Sequence, residues 1–454
     1  MTFKVINPAT GDVFNRFEVK EIPIQERIDA AERAFAEWRQ TKMEERASRL
    51  FKTADILERD RDDYAKLMAV EMGKPIQGGR AEIEKCAWLC RHVAETAADM
   101  LSPDVVRTDA HKSFIVFQPL GVILGVMPWN YPFWQVFRFA APSLMAGNAV
   151  LLKHASNVPG CSMGIEKLMH DAGFPADLFQ SLLITSEQVS AVIEHPAVKA
   201  VTLTGGKSAG QAVAEHAGRQ IKKSLLELGG SDPYLILEDA DIDLTVDACV
   251  SGRLLNSGQS CIAAKRFIVV SGVQNEFEQG LVQKMKSVKV GDPMNEDTQI
   301  GPLARSDLRD NLHKQVRASI ELGARCLTGG EIPEAKGYFY PPTVLTDVRP
   351  GMPVFDEETF GPVAAVISAP NEEAAIRLAN HSNYGLGAAV FTRDLKRGEF
   401  IAAERLEAGN CFVNAFVKSD PRLPFGGIKE SGYGRELSSY GIKSFVNIKT
   451  VYVA

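Results

Sequence analysis

Hydrophobic and polar positions fall into two textures along the chain. Residues 24–60 and 61–101 place apolar side chains at helical spacing among dense Ala, Glu, Arg and Lys, which predicts amphipathic helices. Residues 112–119 (KSFIVFQP) are rich in β-formers and predict a strand. From Leu120 the pattern changes to short apolar runs: LGVILGVM (120–127), AVLLK (149–153), LFQSLLI (178–184), VKAVTLT (198–204) and SLLEL (224–228). Helical stretches near 136–147, 161–172, 187–194 and 208–218 separate them. Apolar runs alternating with helices predict βαβ units and a parallel sheet buried on both faces. After Gly229-Gly230-Ser231-Asp232-Pro233 a second series begins, with strands predicted at 234–237, 266–270, 362–368, 388–391 and 411–414. Its helices are predicted at 242–256, 273–287, 305–322, 371–380 and 394–406. Residues 445–453 alternate like an edge strand in need of a partner, as do 112–119. The pattern predicts two α/β domains and a small β extension.

Composition narrows the function classes. The chain has 454 residues, 51 basic and 57 acidic, for a net charge of −6, with 45% hydrophobic and 24% charged side chains. Those are ordinary globular values, and a mildly acidic balance lacks the footprint of a nucleic-acid or membrane binder. The start, Met1 to Pro8, has no signal-peptide pattern, and Leu120 to Met127 is too short an apolar run to span a bilayer. A soluble, cytoplasmic protein is expected. Seven cysteines are scattered without Cys-x-x-Cys, and no Cys or His cluster has metal-ligand spacing. Six of them read as small buried hydrophobes, and neither disulfides nor a metal are expected.

The seventh, Cys261, lies in a small polar turn, Asn256-Ser257-Gly258-Gln259-Ser260-Cys261, where exposure and a lowered pKa would make a thiol nucleophilic. Glu227 ends an apolar run; a carboxylate there is costly to bury unless paired, and an apolar setting raises its pKa toward general-base use. Asn130, in Pro128-Trp129-Asn130, sits just past a strand end, where an amide can donate to a developing oxyanion. Gly205 and Gly206 stand at a strand-to-helix junction, where free N–H groups suit a phosphate. A tight turn without ligand explains that junction equally well, and Gly-x-Gly-x-x-Gly is absent.

Together PWNYP (128–132), TGGKSAG (204–210), LELGGSDP (226–233), GQSCIAAKR (258–266), EETFGPV (357–363) and PFGGIKESGYGRE (424–436) resemble the aldehyde dehydrogenase superfamily, in order and spacing over essentially the whole chain. LLKHASN (151–157) and VKSDPRLPFGG (417–427) look most like its succinate-semialdehyde dehydrogenase branch. The resemblance implies an α/β fold with a Rossmann-like cofactor domain (1–110 and 120–229), a catalytic domain (230–430) and an oligomerisation extension (111–119 and 431–454). It implies Cys261 as nucleophile, Glu227 as general base, and Asn130 with the Cys261 N–H as oxyanion hole. Trp129, Lys153, Ser156, Gly205, Gly206, Leu228, Glu358 and Phe360 fall at cofactor positions, and Arg138 and Ser419 at substrate positions.

The implied reaction oxidises succinate semialdehyde to succinate through a thiohemiacetal and a thioester on Cys261. Ser156, where NAD-using members often carry Glu, sits near Lys153 and implies a preference for NADP⁺, with NAD⁺ as the alternative and His154 as a residue that crowds the region. Leu255 stands where some relatives have a second arginine, and Ala263 where some have a second cysteine. Rival readings are another short semialdehyde (glutarate or malonate), a CoA-acylating relative, which would lack Glu227, and a non-catalytic binding protein on the same fold. A homodimer or homotetramer is implied.

Overall fold

Four helices, Ile24–Trp38, Met43–Arg59, Arg61–Met72 and Ile76–Met100, follow an N-terminal hairpin of strands Thr2–Ile6 and Val13–Glu18 in the computed structural model, which describes residues 2–18 and 23–454. They lead into a six-stranded sheet whose order is Gly432–Tyr433, Lys223–Glu227, Val198–Thr204, Val122–Met127, Ala149–His154, Phe179–Ser181. All neighbours are parallel except Gly432–Tyr433, which runs antiparallel to Lys223–Glu227. From Val122–Met127 the chain adds Ala149–His154 and Phe179–Ser181 on one side and then returns to add Val198–Thr204 on the other, so the order reverses there. Crevices beyond the carboxyl ends of strands at such a switch point are where open α/β sheets hold ligands.

A second, seven-stranded sheet runs Arg325–Thr328, Thr343–Thr346, Val363–Ala369, Ala264–Val270, Asp232–Ile236, Gly387–Phe391, Asn410–Val413. Only Arg325–Thr328 is antiparallel to its neighbour. Its central strands are buried along their whole length, as expected where helices cover both faces. Helix Trp134–Met145 is buried on every side, which explains its lack of a polar face.

Two expectations are corrected. Segments 112–119 and 445–453 are not separate edges awaiting partners: Lys112–Pro119 pairs antiparallel with Val446–Val453 along its full length and with Asp104–Val105 on its other side. One free long edge remains, on Val446–Val453. Residues 431–445, grouped by sequence with the extension, first add Gly432–Tyr433 to the six-stranded sheet. The second correction concerns cysteine. Cys86, Cys90, Cys161 and Cys249 are buried, but Cys411 is half-buried and Cys326 is exposed, its thiol turned to the Thr328 carbonyl. Arg325–Thr328 is a sheet-edge strand, so its cysteine has no core to enter.

Candidate active site

The carboxyl ends of the parallel strands deliver the site. Val122–Met127 runs into Pro128-Trp129-Asn130, Val198–Thr204 into Gly205-Gly206, and Lys223–Glu227 ends on Glu227 itself. The thiol comes from the second domain, between helix Ile242–Leu254 and strand Ala264–Val270.

The helix begins with Asp241 accepting from the Leu244 N–H at 3.3 Å and ends at Leu254. Asn256 (φ 55, ψ 42), Ser257 (φ 58, ψ 29) and Gly258 (φ 76) then adopt left-handed conformations in succession. Such backbone costs of order 1–3 kcal/mol per non-glycine residue and persists only when its surroundings fix it. Here they do. Asn256 Nδ2 donates to the Asn130 carbonyl at 2.8 Å and the Gln259 carbonyl at 3.1 Å, and Ser257 Oγ accepts from the Gly301 N–H at 3.0 Å. A Cβ on Gly258 would lie 2.3 Å from the Gly361 carbonyl, so this position has no room for a side chain. Lys265 Nζ, fully buried, donates to the Ser260 carbonyl at 2.9 Å and to the Cys261 carbonyl.

Asn130 Nδ2 donates to the Gln259 carbonyl at 3.1 Å, which leaves its second N–H free. Among the described residues no protein acceptor takes up the Cys261 N–H either. A nucleophile loop flanked by two uncommitted donors is the arrangement an oxyanion hole needs.

Glu227 is fully buried and neither of its oxygens accepts a hydrogen bond. Arg138 NH2 approaches it at 3.6 Å, while Arg138 Nε lies 2.7 Å from Glu436, also fully buried. Burial pushes the Glu227 carboxyl well above its ordinary value; Arg138 opposes this and Glu436 adds to it. The Cys261 thiol departs from expectation. The turn predicts exposure and a lowered pKa, yet the side chain is half-buried at the base of a cavity. Burial, with Glu227 adding to it, pushes the thiol up to about 12 against the smaller opposing effects of Arg138 and Lys265. Two anions in one dry site disfavour each other, which is why Glu227 adds to the rise of the thiol.

The residues at the cofactor positions come from both sheets and the loops that join their strands. Trp129 and Phe360 meet edge to face, centroids 5.8 Å apart. Glu358 accepts from the Gly230 N–H at 3.0 Å and lies 3.5 Å from Lys265. Gly205 donates to the Glu227 carbonyl at 2.9 Å, and Leu228 donates to the Ser431 carbonyl at 3.0 Å. Helix Lys207–Arg219 has no side-chain cap, and nothing stands within 4 Å of a Cβ built on Gly206. Lys153 is buried without an ion pair among the described residues, and Ser156 is exposed. His154 does not crowd them. It is buried, bonded to the Pro132 carbonyl at 2.9 Å and accepting from the Ala155 N–H at 2.9 Å, and burial holds it neutral by lowering its pKa to about 4.

A cavity of about 270 Å³ joins Cys261 to Arg138 and Ser419. Glu227 and Asn130 are not part of its wall. Sequence reasoning missed Lys85, which also lines the cavity, together with Asn256, Lys265 and Glu436. Lys265 and Glu436 lay in quoted blocks, GQSCIAAKR and PFGGIKESGYGRE, and Asn256 in the quoted turn, without a role of their own; Lys85 carries no local signal.

The chain is similar to known proteins over its whole length. A probable NADP(+) succinate-semialdehyde dehydrogenase of Synechocystis sp. is 49% identical, with both chains fully covered. NADP(+) succinate-semialdehyde dehydrogenase 1 of Mycobacterium tuberculosis is 46% identical, again with both chains fully covered. The crystal structure of succinic semialdehyde dehydrogenase from Streptococcus pyogenes, in complex with NADP⁺, superposes with a TM-score of 0.97 at 38% identity, covering 99% of each chain. The aldehyde dehydrogenase family model matches residues 1–451, and the chain belongs to that family.

Proposed function

We propose that the protein oxidises succinate semialdehyde to succinate with NADP⁺ as the preferred cofactor. The observation that carries the reading is a single cavity lined by both Cys261 and cationic side chains, Lys85 and Arg138 among them. An aldehyde with an anionic far end fits that polarity. The full-length relatives named for this activity support it.

The residues present fit a phosphorylated dinucleotide. An uncapped helix start at Gly206 offers N–H groups to phosphate, and Trp129 and Phe360 offer apolar faces. Ser156 carries a hydroxyl in place of a repelling carboxylate, three residues from Lys153, a buried cation without an ion pair among the described residues that only Glu187 partly offsets. Lys153, Ser156, Gly205, Gly206, Leu228 and Glu358 would hold it. When bound, its nicotinamide supplies the hydride acceptor.

On the chain's side, the Cys261 thiol gives its proton to water and its sulfur attacks the aldehyde carbon; the resulting thiohemiacetal carbon gives up hydride to that acceptor, leaving a thioester on Cys261. Asn130 Nδ2 and the Cys261 N–H donate to the oxygen as it gains charge, a contribution of ~10²–10³ in rate per donor. Glu227, held in an apolar pocket with its pKa raised, takes a proton from water to release succinate. Arg138 lines the cavity while spending its charge on Glu227 and Glu436, and Ser419 offers a hydroxyl to the distal carboxylate.

We assign residues 1–110 and 120–229 to the cofactor domain, 230–430 to the catalytic domain, and 111–119 and 431–454 to oligomerisation in the cytoplasm. The free edge of Val446–Val453, with Ile448 and Tyr452 exposed, supports a dimer or tetramer, which light scattering tests. For the activity, steady-state kinetics over a panel of ω-oxo acids with NADP⁺ and NAD⁺ should give the highest kcat/KM for succinate semialdehyde with NADP⁺. A higher value for glutarate or malonate semialdehyde, or for NAD⁺, would overturn the reading.

A further inference from the structure

The cations around the cavity differ in what already neutralises them. Lys74 is buried in an ion pair with Glu82 and lies 3.8 Å from the Tyr131 ring centroid. Arg138 is shared between Glu436 at 2.7 Å and Glu227 at 3.6 Å. Lys418 is exposed at the rim. Lys85, on helix Ile76–Met100, has no carboxylate within ion-pair reach among the described residues. It donates to the Ser419 hydroxyl at 2.9 Å and lies 4.3 Å from the Trp134 ring centroid.

We infer that Lys85, with the Ser419 hydroxyl beside it, binds the distal carboxylate of the substrate and so selects acid semialdehydes over neutral aldehydes. This rests on the semialdehyde reading above and supplies the charge that Leu255 leaves out. Trp134, Phe416 and Phe425 line the cavity with Lys85, which offers the substrate's methylenes apolar surface beside the cation. The charges nearest Lys85 are Arg138, which repels it, and Asp420 and Glu82, which attract it; Asp420 is bonded to Arg422 at 2.7 Å and Glu82 to Lys74. Burial, with Arg138 adding, lowers the Lys85 ammonium to about 8, the behaviour of a cation short of a counterion.

The test compares wild type, Lys85→Met, Lys85→Gln and Lys85→Arg in the full chain, with NADP⁺ and either succinate semialdehyde or butanal, its uncharged analogue. A hydrogen bond to a charged group lost from a half-buried site corresponds to roughly a tenfold to hundredfold change. Lys85→Met should raise KM for succinate semialdehyde by that factor with kcat little changed and butanal turnover intact, and Lys85→Arg should restore most of the loss. If Lys85→Met fails to fold, Lys85→Gln removes the charge alone and carries the same expectation. An unchanged KM for succinate semialdehyde, or an equal loss with both aldehydes, would overturn the assignment while leaving the wild type's preference standing. A wild type that does not prefer succinate semialdehyde to butanal would overturn the semialdehyde reading and this assignment with it.

Discussion

Arg138→Met isolates the electrostatics of the general base. Arg138 is the one cation within ion-pair distance of Glu227 among the described residues, at 3.6 Å. At an effective dielectric near 20, that separation corresponds to about 4–5 kcal/mol, or about 3 pK units. Glu436 reduces the net figure. Once Arg138 is gone, Glu436 is free to take a proton, which removes its repulsion of Glu227. We therefore expect the Glu227 pKa to rise by roughly 1–3 units.

The sign is fixed by the role. Glu227 works as a base when ionised, so kcat climbs with pH through its pKa, and raising that pKa moves the rising limb toward alkali. At neutral pH, kcat should fall about tenfold for each unit. The assay is kcat against pH for wild type and variant with saturating succinate semialdehyde and NADP⁺. Stranding two buried carboxylates costs on the order of 3–5 kcal/mol, so Arg138→Met/Glu436→Gln should recover stability while keeping the alkaline shift. An unmoved limb with a raised KM for succinate semialdehyde would refute the reasoning and make Arg138 a substrate anchor.

Asn130→Ala should lower kcat by ~10²–10³ and leave cofactor Kd unchanged, because it removes an N–H that has no acceptor in the resting protein; fluorescence titration with NADPH alongside turnover checks both halves. Ser156→Glu introduces the carboxylate that NAD-using members often carry at this position, which would repel a 2′-phosphate; like charges near a surface repel by about 1–4 kcal/mol. The NADP⁺ to NAD⁺ ratio of kcat/KM should fall roughly 10- to 100-fold, and an unchanged ratio would remove Ser156 from cofactor selection.

Period and punctuation made the alternating strands and helices legible, because burial on both faces forces short apolar runs. The N-terminal hairpin carries a readable alternation, with Phe3 and Val5 buried and Lys4 exposed, but five residues is too short a signal beside long helices. Arg325–Thr328 is mostly exposed at a sheet edge and has almost no pattern to read. At the site, Cys261, Glu227 and Asn130 stand in recognisable blocks. What surrounds them depends on contacts across the chain: Lys85 meets Ser419 over 334 residues, and Asn256 meets Asn130 over 126. No local rule anticipates such meetings. The thiol's raised pKa follows from the burial that the fold imposes on it, and the neutral His154 likewise from burial, which outweighs its bond to the Pro132 carbonyl.

The central claim is a covalent cysteine intermediate released by Glu227. Mixing Glu227→Gln with succinate semialdehyde and NADP⁺, quenching in acid, and mapping peptides by mass spectrometry tests it directly. The account predicts NADPH formed in a single turnover, with one succinyl thioester on Cys261. NADPH turnover with no adduct, or an adduct on any other residue, would contradict it.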